Sequence, residues 1–339
     1  MRALIAGRGP EWVLDEVDVP SPGPGEVLVR NHAAATNNAD LPMLAEADPS
    51  HGGHGREFTA GFEYAGEIVA VGENAGRWAV GDAVMGSVPA SFADYVVADH
   101  RFVLPRPEGL SPEIACALPT GLLTEHGALS VAGFRPGQSV LVTGGTSGIG
   151  MIGVQMAKAL GASCVIATTR RSAGRDRLLR LGADTVVVTG EEDLTDAVLD
   201  ATNGRGVDVV LDHVAGQTFA ECLPATAEDG KVVNIGRLAG AASTIDLDAL
   251  SYRHLTVHGV SFGFTRDTEM AGIIAGLLPD VLPAVARGEI RPVIDRTLDI
   301  TDPAHVADRL RSGEADGKIV LTIVPGESGE KKEKKEKND

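Results

Sequence analysis

Cysteine is scarce in this sequence and never paired. Cys116, Cys164 and Cys222 lie far apart and form no Cys-x-x-Cys, which excludes a disulfide framework and a structural zinc lobe and leaves them as core thiols. Long apolar runs are missing too. Crossing a bilayer takes roughly 20 uninterrupted apolar residues, and the longest candidate, residues 273–286, is broken by Pro279, Asp280 and Pro283. Residues 1–13 hold no apolar core of signal-peptide length, because Gly7, Arg8, Gly9, Pro10 and Glu11 interrupt it. A cytoplasmic protein with no membrane partner is expected. Positive charge is in the minority: 30 Lys and Arg against 47 Asp and Glu give a formal charge of −17. A surface of that sign repels a phosphate backbone, so no nucleic-acid partner is expected. The lysine-rich end does not alter this, since residues 325–339 hold five lysines and five acids and read as a disordered, charged tail.

What the chain does have is glycine, 42 in 339 residues, and a length that suits two ordinary domains. Residues 1–116 contain short β-like runs, 26–31, 66–71, 83–85 and 95–98, separated by turn clusters such as Pro20 to Gly25, as in a small irregular barrel. From about residue 120 to 259 apolar strands alternate with helical sequence: strands at 139–143, 164–168, 185–189, 207–212 and 231–235, and helices after residue 148 and near 175–181. Such alternation implies a parallel sheet with helices on both faces. Beyond Gly259 the pattern predicts one long apolar helix over 269–287 and a last strand at 318–324.

The turn Gly145-Thr146-Ser147-Gly148-Ile149-Gly150 lies between the first of these strands and an amphipathic helix, the context that a dinucleotide-binding fingerprint requires. Glycines let backbone N–H groups approach a pyrophosphate, whose charge the helix N-terminus favours. About twenty residues on, where an NAD site places an acid for the ribose hydroxyls, the chain reads Thr168-Thr169-Arg170-Arg171-Ser172, with Arg175 following. Two arginines and no carboxylate favour a 2′-phosphate and hence NADPH. The same turn also matches short-chain dehydrogenases. That family is opposed by the mid-chain position and by Thr256 standing four residues after Tyr252, where a lysine is needed.

With a β-rich segment before the turn, the chain resembles the medium-chain dehydrogenase/reductase superfamily and is similar to its zinc-independent quinone oxidoreductase and enoyl reductase branch. The matching segments include Pro22 to Val29, Ala35-Thr-Asn-Asn-Ala-Asp40, Gly61-Phe-Glu-Tyr-Ala-Gly66, Ala117-Leu-Pro119, Asn234-Ile235-Gly236 and Gly317-Lys-Ile-Val-Leu321. The resemblance implies a Rossmann doubly wound parallel sheet (residues 120–259) inserted into a GroES-like β-barrel catalytic domain (1–119 and 260–324), and commonly a homodimer. It also implies hydride transfer to an electron-poor C=C or quinone, a small hydrophobic acceptor. The departures place the branch. Zinc-dependent relatives have Cys at the position of Asn37 and His at that of Phe62, and neither Asn nor Phe gives zinc a thiolate or imidazole, so no metal is expected there. The loop containing His51, His54 and Glu57 reads as a glycine-rich lid before it reads as a cation site.

By position in the family, Asn37 and Asp40 would border nicotinamide and substrate, although both residues equally suit turn and helix-cap chemistry. Thr124 would face the cofactor, Lys318 would approach it from the returning strand, and Ile235 and Gly236 would contact it. Enoyl-thioester reductases of this branch often use a tyrosine after the Asp40 position as the acid, and residues 41–59 contain none. Of the three tyrosines, Tyr64 is expected within a strand, and Tyr252, beside Arg253 and His254, at the substrate cleft or domain junction. Three functions stand: a quinone or enone reductase, an enoyl-thioester or polyketide-tailoring reductase, and a cofactor-binding protein with a structural or regulatory role.

Overall fold

The computed structural model describes residues 1–262 and 266–323. Six strands form one sheet, in the spatial order Thr185–Val188, Cys164–Thr169, Ser139–Val142, Val207–Asp212, Thr226–Asn234 and Thr256–Gly259. Every neighbouring pair is parallel. The runs themselves explain this, because strands apolar on consecutive residues need cover on both faces. Val140, Leu141 and Val142 are fully buried, each such side chain contributing roughly 1.5–3 kcal/mol. Across the sheet the strands come third, second, first, fourth, fifth and sixth in chain order. The winding therefore reverses between Ser139–Val142 and Val207–Asp212, which opens a crevice at the carboxyl ends of those two strands.

A second, mixed sheet runs Ile294–Asp299, Lys318–Thr322, Glu26–Ala35, Glu63–Val71, Ala83–Ser87 and Val103–Pro105, with Tyr95–Asp99 also on Glu26–Ala35. A bridge from Ala3 to Ala93 ties on a small sheet made of Val13–Glu16, Arg2–Ala6 and Phe58–Thr59. The last strand returns antiparallel to Glu26–Ala35, with Val320 opposite Ala35. Just beyond the paired residues, the Thr36 N–H donates to the Ile319 carbonyl at 2.9 Å. That register sets Lys318 beside residues 36 and 37, some 280 positions away in sequence.

Between the two sheets lies the helix Pro119–Ala132, here the pre-turn helix, buried on most of its surface. The helix Gly148–Ala159, the turn helix, packs on it through Gly153, and Phe262 and Ile273 pack on it at Gly127. The single helix expected over 269–287 is two, Asp267–Asp280 and Leu282–Arg287, parted at Val281 with φ −119° and ψ −43°. Pro283 has no N–H to give to the residue four before it, and its ring crowds that carbonyl, so a continuous helix is blocked. Asp267–Asp280 packs on the pre-turn helix and Leu282–Arg287 packs on Asp267–Asp280, and of residues 260–323 it is Ile294–Asp299 and Lys318–Thr322 that join the mixed sheet. Residues 324–339 and the tail expected there lie outside the described residues.

Candidate active site

The glycine turn sits at the mouth of the crevice. The Ser147 hydroxyl caps the turn helix by accepting from the Gly150 N–H at 3.0 Å. A Cβ at Gly150 would stand 2.5 Å from the Gly144 carbonyl oxygen, so the turn closes this tightly because residue 150 has no side chain. The Gly145 N–H is taken by the Thr168 carbonyl at 2.9 Å and the Gly144 N–H by the Thr168 hydroxyl at 3.0 Å. Thr146 and Thr169 meet over Gly174. The Thr169 hydroxyl donates to the Arg171 carbonyl at 3.1 Å.

The basic residues that follow divide into two kinds. Arg175 is paired with Glu192 at 3.1 Å and Arg177 with Asp316. The exposed Arg170 and Arg171 guanidinium groups have no hydrogen-bond or ion-pair partner among the described residues. Two unspent cations beside an anion-binding turn suit a phosphate. Arg175, expected alongside them, is already neutralised by Glu192.

On the other side of the turn, a Cβ at Gly148 would stand 3.0 Å from Lys318 Cδ. The stem of Lys318 thus lies against the N-terminus of the turn helix, and its ammonium ends in a polar cluster. It donates to Asn37 Oδ1 at 2.8 Å and to Glu63 Oε2. Asn37 Nδ2 donates to the same Glu63 oxygen at 2.9 Å, and the Thr120 N–H, in the first turn of the pre-turn helix, donates to Glu63 Oε1 at 2.7 Å. Ser87 and Thr120 share a hydroxyl contact of 3.2 Å. Glu63, fully buried, is a centre of the site that the sequence reading missed. Its signal was a carboxylate at the head of the buried run Glu63 to Gly66, in the quoted segment Gly61 to Gly66.

Asp40 opens the helix Asp40–Ala47 and its carboxylate accepts from the Asn37 N–H at 2.6 Å, closing the turn that leads into the helix; the N-cap itself is Ala39, which offers no side-chain cap. Burial is the main cause that raises its pKa to about 7, with the Asn37 N–H and Lys318 pulling down and Glu63 pushing up. The structure thus joins Asn37, Asp40 and Lys318 with the glycine turn. Thr124, nearly buried on the pre-turn helix, lies one residue before a buried acid, Glu125. Tyr252 is not brought there: on the helix Leu247–Tyr252 it is 78% exposed, because that helix covers the outer part of the parallel sheet through Ala249 rather than the crevice. Tyr64 is fully buried with its hydroxyl unpartnered among the described residues, and burial pushes its pKa up. Tyr64→Phe should leave turnover unchanged and hold or raise stability by about 1 kcal/mol, since it removes an unsatisfied hydroxyl; a large fall in kcat would give Tyr64 a role denied here.

At the crevice floor, Asp212 organises the loop after its strand. It accepts from the Thr143 hydroxyl at 2.8 Å, from Asn234 Nδ2 at 2.9 Å, and from the Val214 and Ala215 N–H groups at 3.1 Å. Ile235 and Gly236 donate their N–H groups to the Asp212 carbonyl at 2.8 and 3.0 Å. Ala215 is forced to φ 62°, ψ −156°, a region that glycine alone enters without strain. Ala215→Gly should therefore stabilise the protein by about 1 kcal/mol, the relieved strain exceeding the extra chain entropy; a lowered melting temperature would count against this.

The positions that hold zinc in relatives do not fit zinc. Asn37 offers an amide already bonded to Glu63 and Lys318, Phe62 offers a hydrocarbon ring, and the Lys318 ammonium supplies the cation that Glu63 needs. In the other candidate loop, His54 Nδ1 accepts from the Arg56 N–H at 3.0 Å and Glu57 pairs with Arg8 at 2.9 Å.

Two family models match parts of the chain: alcohol dehydrogenase GroES-like domain over residues 23–108 and zinc-binding dehydrogenase over 148–275. Prostaglandin reductase-3 of Bos taurus is 36% identical over 323 residues, covering 91% of this chain and 84% of that one. The chain belongs to the medium-chain dehydrogenase/reductase superfamily, in its zinc-independent branch. This medium-chain reductase accordingly joins a GroES-like domain to its parallel sheet, and the family to which it belongs is one of nicotinamide-dependent oxidoreductases. It is similar in structure to a mycobacterial quinone oxidoreductase, with a TM-score of 0.82, 26% identity, and coverage of 95% of this chain and 100% of that one. It is also 34% identical over 300 residues to erythronolide synthase EryA2 of Saccharopolyspora erythraea, over 88% of this chain. The chain spans 8% to 14% of the length of that and other polyketide synthases it matches. Among the described residues of this medium-chain reductase, no helix is long and apolar enough to cross a membrane.

Proposed function

We propose that this protein is an NADPH-dependent reductase, acting in the cytoplasm, that transfers hydride to a quinone or an activated C=C without zinc. The observation that supports it most is the cluster where relatives hold zinc: Lys318, laid along the phosphate turn, closes onto Asn37 and Glu63. The bound dinucleotide supplies the hydride. The N–H groups of Thr146, Gly148 and Ile149, which have no partner among the described residues, would hold its pyrophosphate over Gly150; Arg170 and Arg171 would hold the 2′-phosphate; Thr124, Ile235 and Gly236 would border the nicotinamide half.

Without a Lewis acid the residues act by placement and by polarising the acceptor carbonyl as negative charge develops on it. Asn37 and the Lys318 ammonium form the positive side of that site. Asp40, whose pKa of about 7 lets it hold a proton at neutral pH, is the cluster's proton store, and solvent supplies the proton that completes reduction. The acceptor is a small hydrophobic molecule; neither nucleic acid nor membrane is a partner. The outer edge of Thr256–Gly259, with Val257 41% exposed, suits pairing with a second copy as a homodimer.

A second reading, reduction of an enoyl thioester, is favoured by the likeness to the polyketide synthases. Purified, chelator-treated protein offered NADPH with quinones, enones and enoyl thioesters separates the readings. Oxidation with quinones or enones is expected. Oxidation with enoyl thioesters alone would transfer the case to the second reading. Tight NADPH binding with no acceptor reduced would make the protein a cofactor-binding one with a structural or regulatory role.

A further inference from the structure

A charged pair lies under the glycine turn, apart from the Lys318 cluster and the phosphate-binding residues. Glu125, on the pre-turn helix, is completely buried, and its Oε1 stands 2.9 Å from Nε2 of the buried His213. The contact is off the line of an N–H donor, so neither Glu125 oxygen completes a hydrogen bond among the described residues. Elements on three sides enclose the pair. A Cβ on Gly153 of the turn helix would stand 2.7 Å from Glu125 Cδ. One on Gly144 would stand 3.5 Å from His213 Cβ, and one on Gly236 would stand 2.3 Å from the His213 carbonyl oxygen.

The charged groups that bear on His213 are Glu125 from the pre-turn helix and Asp212 from its own strand. The titratable group of the turn helix, Lys158, is turned away to Asp184, and Arg237, beside Gly236, is exposed. A buried ion pair with hydrogen bonds unmade is poor value as a source of stability compared with apolar side chains of similar volume, so its place matters more than its strength. His213 is the first residue after Val207–Asp212, at the reversal of the sheet. That is the nicotinamide half of the crevice, across from the half that holds Arg170 and Arg171.

We infer that the Glu125–His213 pair discriminates between the two redox states of the bound cofactor by binding or releasing one proton. This rests on the dinucleotide reading above and deepens it. With His213 protonated, the pair is neutral and suits the uncharged dihydronicotinamide. When hydride leaves for the acceptor, the ring becomes positively charged. Loss of the His213 proton to water then leaves the pair with one negative charge, so the local charge is unchanged by the transfer. Burial lowers the affinity of His213 for its proton, but the Glu125 and Asp212 charges more than offset this and hold it above the ordinary histidine range. The proton is accordingly lost as pH rises past that range. The pair's contribution to stability is full below it and fades in the same interval.

The test is the ratio of the NADP⁺ to the NADPH dissociation constant, titrated at equilibrium from about pH 6 to about pH 9. Ionisation of the 2′-phosphate is common to both nucleotides and cancels. The ratio should fall about tenfold as pH rises, the scale of one unit charge acting at close range in protein. In Glu125→Gln it should stay within about twofold of the low-pH value throughout, because His213 without its anion is neutral over this range. Glu125→Gln/His213→Gln should be equally flat and serves if the single variant folds poorly. A flat ratio in the wild type, or the same slope in the variants, overturns the inference and leaves the cofactor site standing. Binding of neither nucleotide would overturn the cofactor reading itself.

Discussion

Lys318→Met is expected to destabilise the protein by about 3–5 kcal/mol and to weaken cofactor binding at the same time. The variant leaves the fully buried Glu63 carboxylate with the Asn37 amide and the Thr120 N–H but no countercharge. A charge deprived of its partner in such a place costs far more than the intact pair contributes, because desolvation is no longer offset. The methionine stem preserves the packing against Gly148, so the loss reads the charge rather than the volume. Lys318→Met/Glu63→Gln should recover most of the stability, since it removes both charges together. Denaturant midpoints decide the matter: a change below about 1 kcal/mol in Lys318→Met would mean that Glu63 is protonated or hydrated, and the cluster would no longer be a substitute for a metal.

The second large effect concerns the cofactor's ribose. Arg170→Ala/Arg171→Ala should raise the NADPH dissociation constant about a hundredfold, as the loss of one to two charge-assisted hydrogen bonds implies, and leave that for NADH within about twofold. The selectivity follows from Arg170 and Arg171 having no partner among the described residues. Arg175→Ala should change NADPH binding much less, because its guanidinium is held by Glu192. Equal losses for both cofactors would point to a disturbed loop rather than a lost phosphate contact, and unchanged NADPH binding would remove the 2′-phosphate assignment.

Much of this architecture could be read from the residues because it is local. Uninterrupted Val and Leu runs alternating with helical sequence specify a parallel sheet without reference to anything distant. The ends were less legible: the strand expected at 231–235 begins at Thr226, and the helix expected over 269–287 breaks at Val281, where the prolines on either side act on single hydrogen bonds.

The site was harder still, because it is assembled from far-apart segments. Asn37, Asp40 and Lys318 were named through a family resemblance, and no spacing rule joins residue 37 to residue 318. Glu63 was in view as a letter of a quoted segment and Asp212 as the last residue of an expected strand, yet the bonds that give them meaning come from Thr120 and Asn234 on other elements. Tyr252 failed as a candidate for the converse reason: its neighbours Arg253 and His254 suggested a site, while the fold sets its helix on the outer sheet. Pairings such as Arg175 with Glu192 and Glu125 with His213 are invisible until the chain is folded.

The central claim is hydride transfer from NADPH without metal. Protein exhaustively treated with chelator should be given NADPH deuterated at C4 of the nicotinamide, one face at a time, and an enone, and the product should be examined by mass spectrometry and NMR. The account predicts full activity, with deuterium from one face delivered to the β-carbon and the second hydrogen drawn from water. Activity that vanishes with the chelator and returns with zinc, or a product free of deuterium from either face, would contradict it.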